Sequence, residues 1–419
     1  MPNPTVYPGA KTFLSGGVEA VQGTPATPAW TFPLEDFEPE DKPTWIDDKS
    51  NYGDMAELHG VAQGPIHTEW SAKGPYFGDG SLFFVHNLFG DLVEDGTYTG
   101  AGTTTLSSSA AAGATTISTV ATIAATTVIA IDAGSGTLAE VRTVQSVTGA
   151  GPYTLTLNRA LSFGHSSAVT VRPVTSPYSH LSALLNSGTG QPGSLAGLGG
   201  SLTLVDWQGL TTTVQARAYS GCCVSEITLK GNAESEFIMT DIKGLGWPSA
   251  AAAALPVAAA TTAQPIAAWR TRLGLAGPAS GGTQVKTASE FEITIKRKLK
   301  AEFTLQNAQT PFLIQRGEVS VSGKLTVPVP ADETHLTYML ANTQPQLQVV
   351  VDNGGAGAGL LSLQVDVQKA AYKTAKIKKS EAMGYEVAFD AISTSTNAGQ
   401  SGGTSPIKII AQNAVNQLY

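Results

Sequence analysis

Two thiols stand side by side, Cys222 and Cys223, and the 419-residue chain contains no others. A thiolate pair completed by a distant His could hold a metal, and two thiols could close a disulfide. Adjacent positions in an alternating stretch, however, send their side chains to opposite faces of a strand. One thiol in each environment is the plainer reading, with no disulfide framework. The run GGAGAG at residues 354–359 could cradle an anion on consecutive N–H groups. Its spacing is not that of a nucleotide-binding loop and no helix pattern follows, so it reads as a hairpin tip.

The six histidines are scattered, and there is no HExxH, GxSxG, phosphate-binding loop or paired CxxC. No catalytic, cofactor-binding or metal-ligating residue is therefore nominated, no cofactor is expected, and an enzyme is not expected. Two basic runs remain, IKRKLK at residues 295–300 and YKTAKIKKS at 372–380. Each fits a strand with its cations on the polar face. Solvated or intersubunit roles suit them better than nucleic acid, with acids such as Glu38, Glu40 and Asp41 as available partners.

The elements that would carry these residues are mostly strands. Only 14% of residues are charged while 45 are Gly, a composition that, with its abundant Thr, Ser and Ala, favours strands joined by tight turns. The net charge of −8 argues against binding DNA by phosphate neutralisation. No apolar run reaches the length needed to span a bilayer. The opening residues lack a basic stretch followed by an apolar core, so synthesis in the host cytoplasm is expected.

Residues 224–244, VSEITLKGNAESEFIMTDIKG, read as a β-hairpin, and residues 375–393, AKIKKSEAMGYEVAFDAIS, repeat its rhythm. The preceding text repeats too. IHTEWSAKGPY, with Ile66, Thr68, Trp70 and Ala72 on one face, is followed by a helix expected over residues 79–90 with Leu82, Val85 and Phe89 apolar. GEVSVSGKLTVPVP is followed by a helix expected over 332–342 with Leu336, Met339 and Leu340 apolar. Matching SLTLVDWQG at residue 201 to QLQVVVDNGG at residue 346 leaves about 107 extra residues in the first copy. Those residues, rich in short Val, Ile and Thr strands, are expected to form a separate small β-module.

The early residues EAVQGTPATPAWTFPLEDFEPEDKPTWIDDKSNYGD, then GPIHTEWSAKGPYFGDGSLFFVHNLFG, SLTLVDWQG and YSGCCVSEITLKGN, resemble the major tail tube proteins of long, non-contractile phage tails. The resemblance covers most of the chain outside the inserted module. It implies two packed antiparallel sheets closing toward a barrel beside a short helix, with six such units around each ring and rings stacked into a hollow tube. It also implies a long loop and a terminal arm reaching the next ring, and DNA passing through the lumen without specific binding.

The expected organisation is mainly β. Residues 1–54 form an N-terminal arm, 55–99 with 175–248 a first tube unit, 100–174 the inserted module on the tube exterior, 249–288 a connection and 289–419 a second tube unit. Two units per chain would make the ring a trimer with pseudo-sixfold symmetry. The expected partners are the protein itself and the tape measure, tail terminator and distal tail proteins, in the virion tail, with a lumen poor in cations or net acidic. A tail hub or distal tail protein is the alternative within the virion, and a β-rich surface adhesin the alternative of another class.

Overall fold

The computed structural model describes residues 12–53, 55–99, 102–133, 138–186, 200–207, 216–234, 237–252, 261–328, 333–379 and 383–416. In chain order the first strands are β1 (Phe13–Val18), β2 (Trp30–Phe32), β3 (Asp36–Asp48) and β4 (Gly60–Pro75), followed by α1 (Leu82–Phe89) and β5 (Gly90–Tyr98). Five short strands follow, β6 (Thr104–Thr105), β7 (Thr116–Thr119), β8 (Val128–Ile131), β9 (Glu140–Thr148) and β10 (Tyr153–Leu157). Next come β11 (Thr170–Leu184), β12 (Leu202–Trp207), β13 (Arg217–Asn232), β14 (Met239–Gly246), β15 (Ala250–Ala251), β16 (Arg272–Leu275) and β17 (Gln284–Val285). The last part holds β18 (Glu290–Glu302), β19 (Leu313–Pro328), α2 (Thr334–Leu340), β20 (Leu347–Asp352), β21 (Ser362–Val367), β22 (Ala370–Lys379), β23 (Met383–Ala391) and β24 (Lys408–Asn413).

The protein is mainly β, as its composition indicates. Two large antiparallel sheets stack on a shared apolar core to which Ile293, Leu325 and Val387 contribute from one sheet, and Val349, Leu363 and Ile409 from the other. The first sheet contains the path β3-β4-β14-β13-β18-β19-β23-β22, with β12, β1 and β2 branching from β13. The second runs β17-β16-β20-β21-β24-β11 and continues into β8-β9-β10-β7. Between the sheets lies α1, whose Leu82, Phe83, Phe84, Val85, Leu88 and Phe89 are all buried. It is buried on more than the single face expected, and its buried Asn87 is satisfied by the Gly200 and Cys222 carbonyls and the Val224 N–H. Gly90 ends it at φ 87°, the left-handed turn that glycine makes without strain. In α2, Leu336 and Met339 pack against the core, but Leu340 is exposed, and the buried residue is His335.

Two long hairpins carry the same bulge at corresponding register positions. In β3·β4 the pairing Pro43↔Ile66 shifts to Trp45↔Gln63, and in β18·β19 the pairing Arg297↔Val319 shifts to Leu299↔Arg316. Pro43 to Arg297 and Trp45 to Leu299 are both 254 positions apart, and Ile66 to Val319 and Gln63 to Arg316 are both 253. The same bulge thus sits at the same place in both. In β13·β14 and β22·β23 the shifts fall between Val224 and Glu226 and between Tyr372 and Thr374, 148 positions apart in each case. Bulges bend and twist a strand locally, so paired bulges give the two halves matching curvature.

A cross-strand pair closes the correspondence. Trp70 lies opposite Gly244, and at the equivalent place Gly323 lies opposite Phe389. Each aromatic ring covers its glycine so closely that a Cβ on Gly244 would stand 2.3 Å from Trp70, and one on Gly323 2.3 Å from Phe389. The ring and the gap have exchanged strands while the filled volume is kept.

Two sequence expectations are corrected here. The strand that follows α2, β20, has its counterpart in β5 directly after α1, because β20 pairs β21 as β5 pairs β11; the stretch from residue 201 is instead β12, beside β1 and β13. The extra residues therefore fill the tip of the β5·β11 hairpin. The expected arm is also largely built into the body. Leu14 and Phe32 join the core, and β1 pairs β12. The buried carboxylate of Glu19 accepts hydrogen bonds from Ser201 Oγ at 2.5 Å, Thr203 Oγ1 at 2.7 Å and the Gly221 N–H at 2.8 Å. Removing residues up to 46 would strip these elements from the sheet, so the arm does not lie on finished structure. The Gly-rich run at 187–199 and part of the expected connection, residues 253–260, lie outside the described residues.

The inserted strands enclose their own apolar cluster of Leu106, Ile117, Ile129, Ile131, Val144, Leu155 and neighbours, yet they are bonded to the body by buried charge. Glu94 of β5 is 1% exposed and faces Arg142 of β9 at 3.6 Å, Arg159 at 3.5 Å and His180 of β11 at 3.7 Å. Arg142 also donates to Glu140, to Ser162 Oγ at 2.9 Å and to the Val141 carbonyl at 2.7 Å. Burial pushes the Glu94 carboxyl up, but the His180 hydrogen bond and the surrounding cations outweigh it and hold it below the ordinary carboxylate range.

Two stability changes are expected. Gly244→Ala puts a methyl 2.4 Å from the Cys223 carbonyl oxygen and lowers unfolding free energy by about 1–3 kcal/mol, measured by urea denaturation. Glu94→Gln removes the buried carboxylate that Arg142, Arg159 and His180 surround, with Arg142 still held by Glu140, and costs about 3–5 kcal/mol. Because the folded state lowers the Glu94 pKa, this contribution is complete above the ordinary carboxylate range and is lost as pH falls through the folded value. The wild-type advantage over Glu94→Gln, followed against pH, shrinks accordingly in acid.

Candidate assembly surface

One face of the eight-strand path packs on the core and the other is open to solvent, because the strands alternate. On β18, Phe291, Ile293, Ile295 and Arg297 are buried while Glu290, Lys296 and Lys298 are not. The open face carries rows of cross-strand ion pairs. Glu226 accepts from Lys243 at 3.3 Å and from Lys296 at 3.2 Å, and Lys230 meets Asp241 at 2.6 Å. Lys324 meets Glu292 and Lys373 meets Asp390, both at 3.6 Å. Each such exposed pair adds little stability. What the rows do is occupy the cations, and the face is charge-balanced rather than poor in cations.

The two ends of the path are open edges. Among the described residues β3 pairs only β4, and β22 pairs only β23. An edge strand presents unpaired N–H and C=O groups that invite another strand. The two edges differ in charge: β3 carries Asp36, Glu38, Glu40 and Asp41, and β22 carries Lys373, Lys376, Lys378 and Lys379.

Both rims of the sheet expose large apolar side chains. At one rim the β3·β4 hairpin exposes Trp45 at 60%, Ile46 at 54% and Val61 at 54%. The neighbouring β18·β19 turn exposes Leu305 and Phe312, and the two hairpins are joined by the Ile66 N–H donating to the Gln309 carbonyl at 2.9 Å. At the opposite rim, beyond the β13·β14 turn, Phe237 and Trp269 are exposed beside a groove of about 570 Å³ lined also by Lys73, Lys230, Glu234 and Met239.

The residues singled out in the sequence separate under this geometry. Cys222 and Cys223 are free and fully buried. Cys222 lies against Gly246, and burial raises its thiol well above the ordinary range. Cys223 accepts from Gln22 Nε2 at 3.1 Å and from Arg316 at 3.4 Å, so the alternation expected of the pair holds. Residues 354–359 form the turn between β20 and β21. Of the run 295–300, Lys296, Lys298 and Lys300 make surface pairs, while Arg297 turns inward and donates to the carbonyls of Leu88 and Phe89 at the end of α1, where a cation complements the helix dipole. Sequence reading missed this role, since nothing local distinguishes Arg297 from its neighbours. Among the described residues no group of three His, Cys, Asp or Glu is placed to hold a metal, and no helix is long and apolar enough to cross a membrane.

A two-sheet body with paired hairpins, open charged edges and apolar rims offers contact surfaces more than a reaction centre. Comparison with known families agrees in kind. The model of the phage tail tube protein family matches residues 9–391, nearly the whole chain and across the inserted module. No curated protein matches the sequence. The chain belongs to the phage tail tube protein family, a structural component of the tail of the virion.

Proposed function

We propose that this chain polymerises into stacked rings of three copies, each copy supplying two tube units, and that the rings form the hollow tube through which DNA is delivered. The observation that carries this reading is the repeat of a four-strand block. The block β3-β4-β14-β13 is followed by β18-β19-β23-β22 with both bulges in the same places. Two similar blocks already joined edge to edge in one chain are two-sixths of a ring. The open face of the sheet then lines the lumen, and the second sheet backs it.

The lumen works by electrostatics. A phosphate attracted to Lys296 or Lys230 must compete with the carboxylate already beside it. A duplex therefore finds no continuous row of free cations and slides. The inserted module extends from the second sheet, behind the lumen-lining sheet, and lies on the exterior. Ring stacking uses the rims: the hairpin tip with Trp45, Ile46 and Val61 docks on the far rim of the next ring, where Phe237 and Trp269 are exposed. This transfers the inter-ring role from a free arm to the outer half of the β3·β4 hairpin. Tape measure, tail terminator and distal tail proteins are the partners at the tube's ends.

Electron microscopy of the purified protein, with averaging of end-on views, is expected to show hollow tubes with threefold symmetry and six inner lobes. Rings of six identical chains would refute the pseudo-hexamer, and isolated rings that never extend would favour a hub protein. The double variant Trp45→Ser with Ile46→Ser is expected to fold, since both side chains are exposed, and to give rings without tubes. Sedimentation reads the difference, and tubes of normal length from the variant would remove the hairpin from stacking.

A further inference from the structure

The chain contains its own template for the contact between copies. Resting on the ring reading above, we propose that β22 of one copy pairs antiparallel with β3 of the next in the register of the internal β13·β18 seam, and that opposite charges on the two edges select this pairing. The internal seam sets Glu226 opposite Lys296, Thr228 opposite Thr294, Leu229 opposite Ile293 and Lys230 opposite Glu292. The bulges place β22 148 positions after β13 and β18 254 positions after β3. Transferring the seam by these displacements sets Thr374 opposite Lys42, Lys376 opposite Glu40, Ile377 opposite Pro39 and Lys378 opposite Glu38.

The transferred register makes chemical sense without adjustment. Thr228 and Thr294 bring their hydroxyls to 3.1 Å on the open face, and their equivalents are a lysine and a glutamate. Lys376 and Glu40 are both exposed in the single copy, where Glu40 has only the partly exposed Lys42 of its own strand as an ion-pair partner among the described residues. Ile377, 48% exposed, meets Pro39 on the other face. A shift of one residue would send every charge on one edge to the wrong face.

Charge also excludes the wrong partners. Two β3 edges would bring acids against acids, and two β22 edges lysines against lysines, so symmetric pairing of identical edges is disfavoured and head-to-tail pairing is left. Pro39 and Pro43 remove two N–H donors from β3, which shifts more of the discrimination onto the side chains. Head-to-tail contacts close into a ring when the rotation allows, and the matching bulges supply the same bend at the new seam as at the internal one.

The test uses the full chain with paired cysteines. Glu40→Cys with Lys376→Cys is expected to yield, on mild oxidation of assembled protein, covalent ladders of two and three chains on a reducing-agent-free gel. Glu38→Cys with Lys376→Cys, two residues out of register, is expected to yield few. A charge exchange accompanies it: Glu40→Lys and Lys376→Glu singly are expected to raise the critical concentration for assembly about tenfold, and the two together to restore it. Tubes that form normally while the out-of-register pair cross-links, or while the double exchange fails to rescue, would overturn the register and leave the ring reading intact. Wild-type protein that forms neither rings nor tubes would overturn the ring reading itself.

Discussion

A strand at the edge of a sheet has a row of backbone N–H and C=O groups with no partner on one side, and the rest of this structure follows from how that need is met. Inside the chain it is met where two similar four-strand blocks join. The outer strand of the first four-strand block, β13, is paired by the first strand of the second, β18. At the two ends, β3 and β22, it is unmet among the described residues, and in the proposed ring another copy would meet it. The rigid features of the protein then read as support for these edges. Paired bulges set their curvature, ring-over-glycine pairs hold neighbouring strands in register, and α1 with the second sheet supplies the apolar backing. Arg297 ties one of the seam strands to the end of α1 through the Leu88 and Phe89 carbonyls.

The same constraint explains the charge distribution. A surface facing DNA, as the proposed tube would have, could avoid cations altogether, but long strands of alternating residues need polar side chains on their open face, and lysine shields apolar neighbours with its stem. Pairing each lysine with a carboxylate on the next strand keeps solubility without presenting a binding site for phosphate. The edges depart from this balance, with an excess of acid on β3 and of base on β22, and in the proposed ring that imbalance would cancel.

Much of the fold was legible in the sequence because period-two alternation reports burial directly. The hairpin at 224–244, its partner near 375, the strand with Thr68, Trp70 and Ala72 inward, and both helices are all found, the helix boundaries shifted by one to three residues and the hairpins starting earlier, at Arg217 and Ala370. The repeat itself was legible as an order of elements. Its alignment was not, because β12 and β20 share a local pattern of alternating apolar residues and an aspartate, and only hydrogen-bond partners separate them. The N-terminal segment misled for a related reason: its prolines and acids mask β1 and β3, whose partners lie more than 100 residues away in the case of β12. Glu19, Glu94 and Arg142 were illegible for the same cause. A buried charge is recognised by the distant groups that satisfy it, and single-residue types do not announce them.

The claim on which the account depends is that β3 and β22 are free edges in the single copy and paired in the assembly. Amide hydrogen exchange, followed by mass spectrometry on unassembled and assembled protein, tests it most directly. The account predicts that residues 37–42 and 374–379 exchange readily before assembly and become protected in tubes, together and to a similar degree, while β4 and β23 are protected throughout. Edges that continue to exchange freely in well-formed tubes would contradict it.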